Sequence, residues 1–305
     1  MPPDVLSSVS ITLVTPPAAD LPHVLAALRQ WQYEGAPMQL HPGDVGWYCR
    51  FGPEETAGAL RCWYRDGRPL AVGLLDGPGL LRMTIDPAVR LDEELATRMA
   101  EDISTPSRGV LPEGRVLVEA PADALVHQVL AGAGWPLDEP WTPLFRDLTE
   151  PVPVPDVPLR VMDPSAADLR TRIGERVAVQ RAAFAASTFT AARWQAMANG
   201  AAYADARCLI AYHGADPAAV ITVWSAGTGR PGLLEPMGVD PQHRGRGFGR
   251  AITLAGAQAL RQMGASSAVV CTPSANTAAV ATYRAAGFVP QVEVRDRYRP
   301  ASATL

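Results

Sequence analysis

No lysine occurs anywhere in the 305 residues, so every one of the 27 basic side chains is an arginine. Schiff-base lysine chemistry is thereby excluded, as are nucleotide loops that end in an obligatory lysine. Cysteine is scarce: Cys49, Cys62, Cys208 and Cys271 stand far apart, with no Cys-x-x-Cys. That leaves neither a thiolate metal site nor a disulfide framework, and the four are read as buried thiols. No uninterrupted apolar run reaches membrane length, and Met1-Pro2-Pro3-Asp4 lacks the basic start and apolar core of a leader. A net charge of −4 provides no field for nucleic acid or other polyanions. With 48% hydrophobic and 19% charged residues, the expectation is a globular, metal-free, cytoplasmic protein without nucleic-acid or membrane partners. Monomer and homodimer are both open.

What the chain does have is a glycine loop. Arg244-Gly245-Arg246-Gly247-Phe248-Gly249 follows an apolar run, Leu233 to Val239, and precedes a helical pattern. Phe248, Ile252, Ala255, Ala259 and Met263 recur at helical spacing, and Gly264 closes the stretch. Alternating glycines let successive backbone N–H groups turn toward one point, and the helix adds the positive end of its dipole. The loop is built for a phosphate. It is not a Walker loop, which needs lysine. Nor is it a dinucleotide fingerprint: the third glycine comes one residue early, and residues 265–275 hold no acid. It does satisfy Gln/Arg-x-x-Gly-x-Gly/Ala through Arg244, Gly247 and Gly249. About 30 residues on, after a short strand from Ser267 to Thr272, comes a second motif: Asn276, Ala279, Tyr283 and Gly287-Phe288.

With these two motifs in order, residues 157–300 resemble the GNAT superfamily of N-acetyltransferases. The resemblance implies an α/β (α+β) domain, a mixed twisted sheet flanked by helices, and acetyl-CoA as co-substrate. It also implies roles. The amides of Arg244, Gly245, Arg246, Gly247, Phe248, Gly249 and Arg250 would hold the CoA diphosphate, with Phe248 serving as a core anchor. The backbone of Met237, Gly238 and Val239 would hold the pantetheine arm, and the N–H of Met237 or Gly238 would receive the oxyanion. Asn276 would touch the arm or act only as a helix cap. Tyr283 would protonate the departing thiolate, unless it is a core tyrosine. An alkyl ammonium of pKa about 10.4 must lose a proton before it attacks. Glu235, the only carboxylate on the strand entering the loop, would take that proton, anchor the acceptor, or pair with an arginine. Pro236 lacks an N–H and should break the strand ladder beside it.

The Pro-rich stretch 151–158 divides the chain into residues 1–150 and 159–305. The two parts look like a repeat. Ile85-Asp86-Pro87 matches Val239-Asp240-Pro241, Ala133-Gly134-Trp135 matches Ala286-Gly287-Phe288, and each part ends in a strand with Arg-Asp (Arg146-Asp147, Arg295-Asp296). Two tandem GNAT-like domains are therefore expected. In the first, Asp92, Glu93 and Glu94 stand where the glycine loop should be, Asp123 replaces Asn276 and Leu130 replaces Tyr283. Three carboxylates repel a diphosphate, so residues 1–150 are read as a degenerate copy that supplies stability, substrate-pocket walls or dimer contacts. The expected function is acetyl transfer from acetyl-CoA to a primary amine of a small molecule or peptide. The alternatives are a non-catalytic acyl-CoA-binding module, which would keep the loop and need neither Glu235 nor Tyr283, and a nucleotide-binding oxidoreductase. Trp194, Met197 and Trp224 are either acceptor-pocket residues or core.

Overall fold

The computed structural model describes residues 10–162 and 168–301. The opening Met1–Asp4 lies outside the described residues. The first half runs β1 (Thr12–Val14), α1 (Leu21–Gln30), α2 (Pro42–Tyr48), α3 (Pro53–Gly58), β2 (Leu60–Arg65), β3 (Arg68–Leu75), β4 (Leu80–Ile85), α4 (Glu93–Ser104), β5 (Val116–Glu119), α5 (Leu125–Gly132) and β6 (Leu137–Asp147). The second repeats the plan: β7 (Leu159–Val161), α6 (Leu169–Ala183), α7 (Ala191–Ala198), β8 (Ala206–His213), β9 (Asp216–Trp224), β10 (Pro231–Val239), α8 (Phe248–Gln262), β11 (Ser267–Pro273), α9 (Thr277–Ala285), β12 (Val289–Pro290) and β13 (Val294–Arg299).

Local chemistry explains the punctuation. Asp66 and Gly67, with φ of 53° and 72°, form the two-residue turn between β2 and β3. Thr190 caps α7 by accepting from the Arg193 N–H at 3.3 Å. In both halves the fourth and fifth strands of the plan pair in parallel, β4 with β5 and β10 with β11, across a helical crossover.

The order in the sheet is β1-β2-β3-β4-β5-β13-β6-β11-β10-β9-β8-β7. Each half gives its last long strand to the other. β6 pairs with β11 from Asp147–Ser267 to Trp141–Pro273, while β13 pairs with β5 over Val116–Val118. β6 and β13 also pair with each other at the centre. The sheet is thus continuous through both halves, and the repeat is arranged about its middle. The division at residues 151–158 is a division of the chain and not of the sheet.

Three cores follow from this layout. One lies under α4 and α5 and contains Met83, Leu95, Met99 and Leu130. A second lies under α8 and α9 and contains Phe248, Ile252, Leu260 and Phe288. Val152 of the proline-rich stretch packs into this second core, so that stretch is fastened to the body at that point. The third is shared: Leu25, Leu28 and Val45 of the first half pack with Ile173, Trp194, Cys208 and Trp224 of the second. Trp224 is 1% exposed and lies against α2 so closely that a Cβ on Gly43 or Gly46 would fall within 2.5 or 2.4 Å of its side-chain atoms. Glycine is required at both places for the halves to meet.

Candidate active site

The glycine loop forms a groove of about 720 Å³ between α6, β10, α8 and α9. Gly245 and Gly247 have φ of +73° and +86°, a region that other residues rarely adopt. Gly247 is the N-cap of α8 and carries no side chain to cap it, so the first amides of that 15-residue helix are left for another acceptor. Arg244 and Arg250 are tied to the groove walls through the carbonyls of Ala183 (3.3 Å) and Ala285 (2.9 Å). Phe248 points inward, 6% exposed, and anchors the helix as expected. Gly238 lets α6 approach: a Cβ there would lie 2.7 Å from that of Ala183.

Beside the groove, β10 and β11 separate. Their parallel pairing covers only Pro231–Leu233 with Ser267–Val269. Beyond Leu233 the β11 side of β10 has no strand partner among the described residues, which frees backbone groups of Met237 to Val239 on that side. On its other side β10 pairs with β9, but the register shifts between Leu234 and Met237. Glu235 and Pro236 together stand opposite Thr222 there, so Pro236 does interrupt the ladder. The bulge also breaks simple strand alternation at Glu235.

A cavity of about 440 Å³ fills the divergence. Glu235, Met237, Cys271, Asn276, Tyr283 and Asp296 line it from the second half, and Asp76, Leu80, Arg82 and Glu119 from the first. Phe184, Met237, Asn276 and Ala279 line this cavity and the loop groove alike, so the two are continuous. Asn276 both caps α9, accepting from Ala279 N–H at 3.2 Å, and faces both spaces.

The electrostatics centre on Arg82, a first-half residue that sequence reading missed. Its guanidinium lies 2.9 Å from Asp44 Oδ1 and from Glu119 Oε2, 3.5 Å from Asp76 and 3.7 Å from Glu235 Oε1. In the repeat, Arg82 faces Leu74 between the Leu81 and Met83 pairs, as Glu235 and Pro236 face Thr222 between the Leu234 and Met237 pairs. Arg82 is therefore the positional counterpart of Glu235. Burial, the adjoining Asp44 carboxylate and Asp76 push the Glu235 carboxyl up to about 8, with Arg82 opposing them. Burial and then the charge on Glu235 hold the Tyr283 phenol above its ordinary range, so it keeps its proton. Burial raises the Cys271 thiol to about 12, which leaves it inert as a nucleophile. The backbone carbonyl of Glu235 accepts from Trp224 Nε1 at 2.7 Å, which fixes the bulge.

The corresponding place in the first half is closed. Asp92 caps α4 through the Leu95 N–H at 2.9 Å, and Arg65 binds both Asp92 and Glu94 at 2.9 Å. Arg90 pairs with Asp123 at 3.0 Å, and its carbonyl accepts from Leu125 N–H at 2.9 Å. Leu130, at the position of Tyr283, is fully buried. Trp194, Met197 and Trp224 are core residues and do not line the cavity. His213 and His243, rings 5.4 Å apart, pack edge-on to each other and to Phe248. Among the described residues no cluster of His, Cys, Asp or Glu is arranged to hold a metal, and no helix is long and apolar enough to cross a membrane.

Against this geometry, residues 177–288 match the acetyltransferase (GNAT) family. The match lies in the second half of the chain, and the fold of the whole chain is that of a tandem GNAT protein. Mycothiol acetyltransferase of Nocardia farcinica is 48% identical over 59 residues, which are 19% of this chain and 20% of the relative. The first relatives are thus matched over about a fifth of their own length. Mycothiol acetyltransferase of Rhodococcus erythropolis is 26% identical over 235 residues, 72% of this chain and 75% of the relative. Among solved structures, a tandem GNAT protein from the clavulanic acid biosynthesis pathway superposes with a TM-score of 0.57 at 19% identity, covering 97% of this chain and 100% of that one.

Proposed function

We propose that this protein is a cytoplasmic, acetyl-CoA-dependent N-acetyltransferase that acetylates a primary amine of a small molecule or peptide by direct attack on the thioester. The observation that carries the reading is the continuity of the loop groove with the Glu235–Tyr283 cavity through Phe184, Met237, Asn276 and Ala279. One CoA would lie with its diphosphate on the amides of Arg244 to Arg250 and its pantetheine arm along the free side of Met237 to Val239. The acyl carbon would then arrive between Glu235 and Tyr283.

The acceptor enters the cavity as an ammonium. Glu235, as the carboxylate, removes one proton, directly or through water. The amine nitrogen attacks the thioester carbon, and the oxygen takes the charge, held by the N–H of Met237 or Gly238. As the C–S bond breaks, the Tyr283 hydroxyl protonates the thiolate, and the second proton leaving the nitrogen restores the phenol, directly or through water. A carboxyl raised to about 8 is a stronger base than an ordinary glutamate, which suits it to an amine. The name carried by the relatives, mycothiol acetyltransferase, supports a small-molecule acceptor.

Purified protein given acetyl-CoA and a panel of amines should release free CoA thiol only when an acceptor is present. A chain that binds acetyl-CoA tightly and acetylates no amine would instead be an acyl-CoA-binding module.

A further inference from the structure

More carboxyl groups border the acceptor cavity than one ammonium can answer. Four carboxyl side chains line it, Asp76, Glu119, Glu235 and Asp296, with Asp44 buried behind them. Two guanidiniums line it, Arg82 and Arg295. Arg82 is engaged by Asp44 and Glu119 at 2.9 Å each and reaches Asp76 and Glu235 at longer range. Arg295 donates to the backbone carbonyl of Asp138 at 2.8 Å. Asp296 is the carboxyl left over. It is 9% exposed and borders the cavity, yet no hydrogen bond or ion pair reaches it among the described residues. A buried carboxylate without a partner is costly, and such groups are normally paired.

Asp296 also sits where the fold brings three strands together. It lies on β13, the strand that crosses from the second half to pair with β5 and β6. That places it near Glu119, the last residue of β5, whose charge, after burial itself, raises the Asp296 carboxyl to about 7. Glu235, Asp296 and Glu119 thus border one cavity from three different strands.

Resting on the acetyltransferase reading above, the geometry points to a second cation subsite formed by Asp296 and Glu119, and hence to an acceptor that is a small dication: an amine with a second ammonium group. One nitrogen would face Glu235 and react after losing its proton. The other would stay charged against Asp296. The second ammonium would give Asp296 the partner that it lacks among the described residues.

The test compares α,ω-diaminoalkanes with monoamines of equal chain length, on the full chain with saturating acetyl-CoA. The expected result is a kcat/KM at least tenfold higher for the best diamine than for its monoamine. Asp296→Asn should remove that advantage, through a higher KM for the diamine. Equal use of diamine and monoamine, or an undiminished preference in Asp296→Asn, would overturn the subsite while leaving the acetyltransferase reading intact. If no amine is acetylated, calorimetric titration of the diamine into the CoA-loaded protein still decides the matter. Binding that weakens at least tenfold in Asp296→Asn supports the subsite, and binding no tighter than the monoamine's refutes it. Retained acetyl-CoA affinity in the variant certifies its fold.

Discussion

The two halves of this chain share one plan and differ at its most informative points. In the second, α8 begins at an uncapped glycine with its amides free; in the first, α4 begins at Asp92, whose own side chain takes the amide that a phosphate would need. Tyr283 borders a cavity, whereas Leu130 at the same place is core. Glu235 sits on a bulge, whereas Arg82 sits on a regular ladder. The lesson is that one copy of a duplicated fold can satisfy with its own side chains the donors that the other copy leaves free. Arg82, Glu119 and Asp76 of the closed copy become the wall of the open copy's cavity.

The sharpest way to break the comparison is at the reacting residues. Glu235→Gln and Tyr283→Phe should each lower kcat by about 10²- to 10⁴-fold with acetyl-CoA affinity retained, the usual size of a lost proton-transfer group. Steady-state kinetics at saturating acetyl-CoA reads this, and turnover unchanged in either variant would remove that residue from the mechanism. The matching change in the first half should act on stability instead. Leu130→Ala, at a fully buried position, should cost about 2–5 kcal/mol of unfolding free energy by denaturant titration. Tyr283→Phe should cost far less, because no hydrogen bond to its hydroxyl is present among the described residues.

A subtler difference is in titration. The Glu235 carboxyl is raised to about 8, so its basic form grows as pH rises through that value. Below it, kcat/KM should rise about tenfold per pH unit and then level off above it. Asp76→Asn removes a neighbouring negative charge and should move the limb to lower pH. A profile that is flat from pH 6 to 9 would contradict Glu235 as the base. Stability carries the opposite sign. A carboxyl whose folded value lies above its unfolded one holds its proton in the native state, so stability falls as pH rises from about 4.5 toward 8. Glu235→Gln should flatten that fall.

How much of this was legible in the sequence follows from how local each feature is. The glycine loop, the cap at Asn276 and the seven-residue step to Tyr283 are set within one turn or one helix, and residue spacing states them directly. Pro236 announced the break in β10 because its missing N–H is a property of the residue itself. The exchange of β6 and β13 was not legible, since an Arg-Asp strand reads identically whichever sheet edge it joins. Everything that depends on the exchange was hidden with it. Arg82 meets Glu235 across 153 positions of chain, and Asp296 borders the cavity only because its strand crosses over. Gly287 was read as part of a motif, but its surroundings come from the other half: Arg146 on β6 packs against it and donates to the Ala286 carbonyl.

The account's central claim is that one copy of the fold holds the co-substrate and the other shapes the acceptor site. Isothermal titration of acetyl-CoA into the intact chain tests it most directly. The account predicts one acetyl-CoA per chain, with binding weakened at least tenfold by Gly247→Glu and unchanged by Asp92→Ala. A stoichiometry of two, or binding that survives Gly247→Glu, would contradict it.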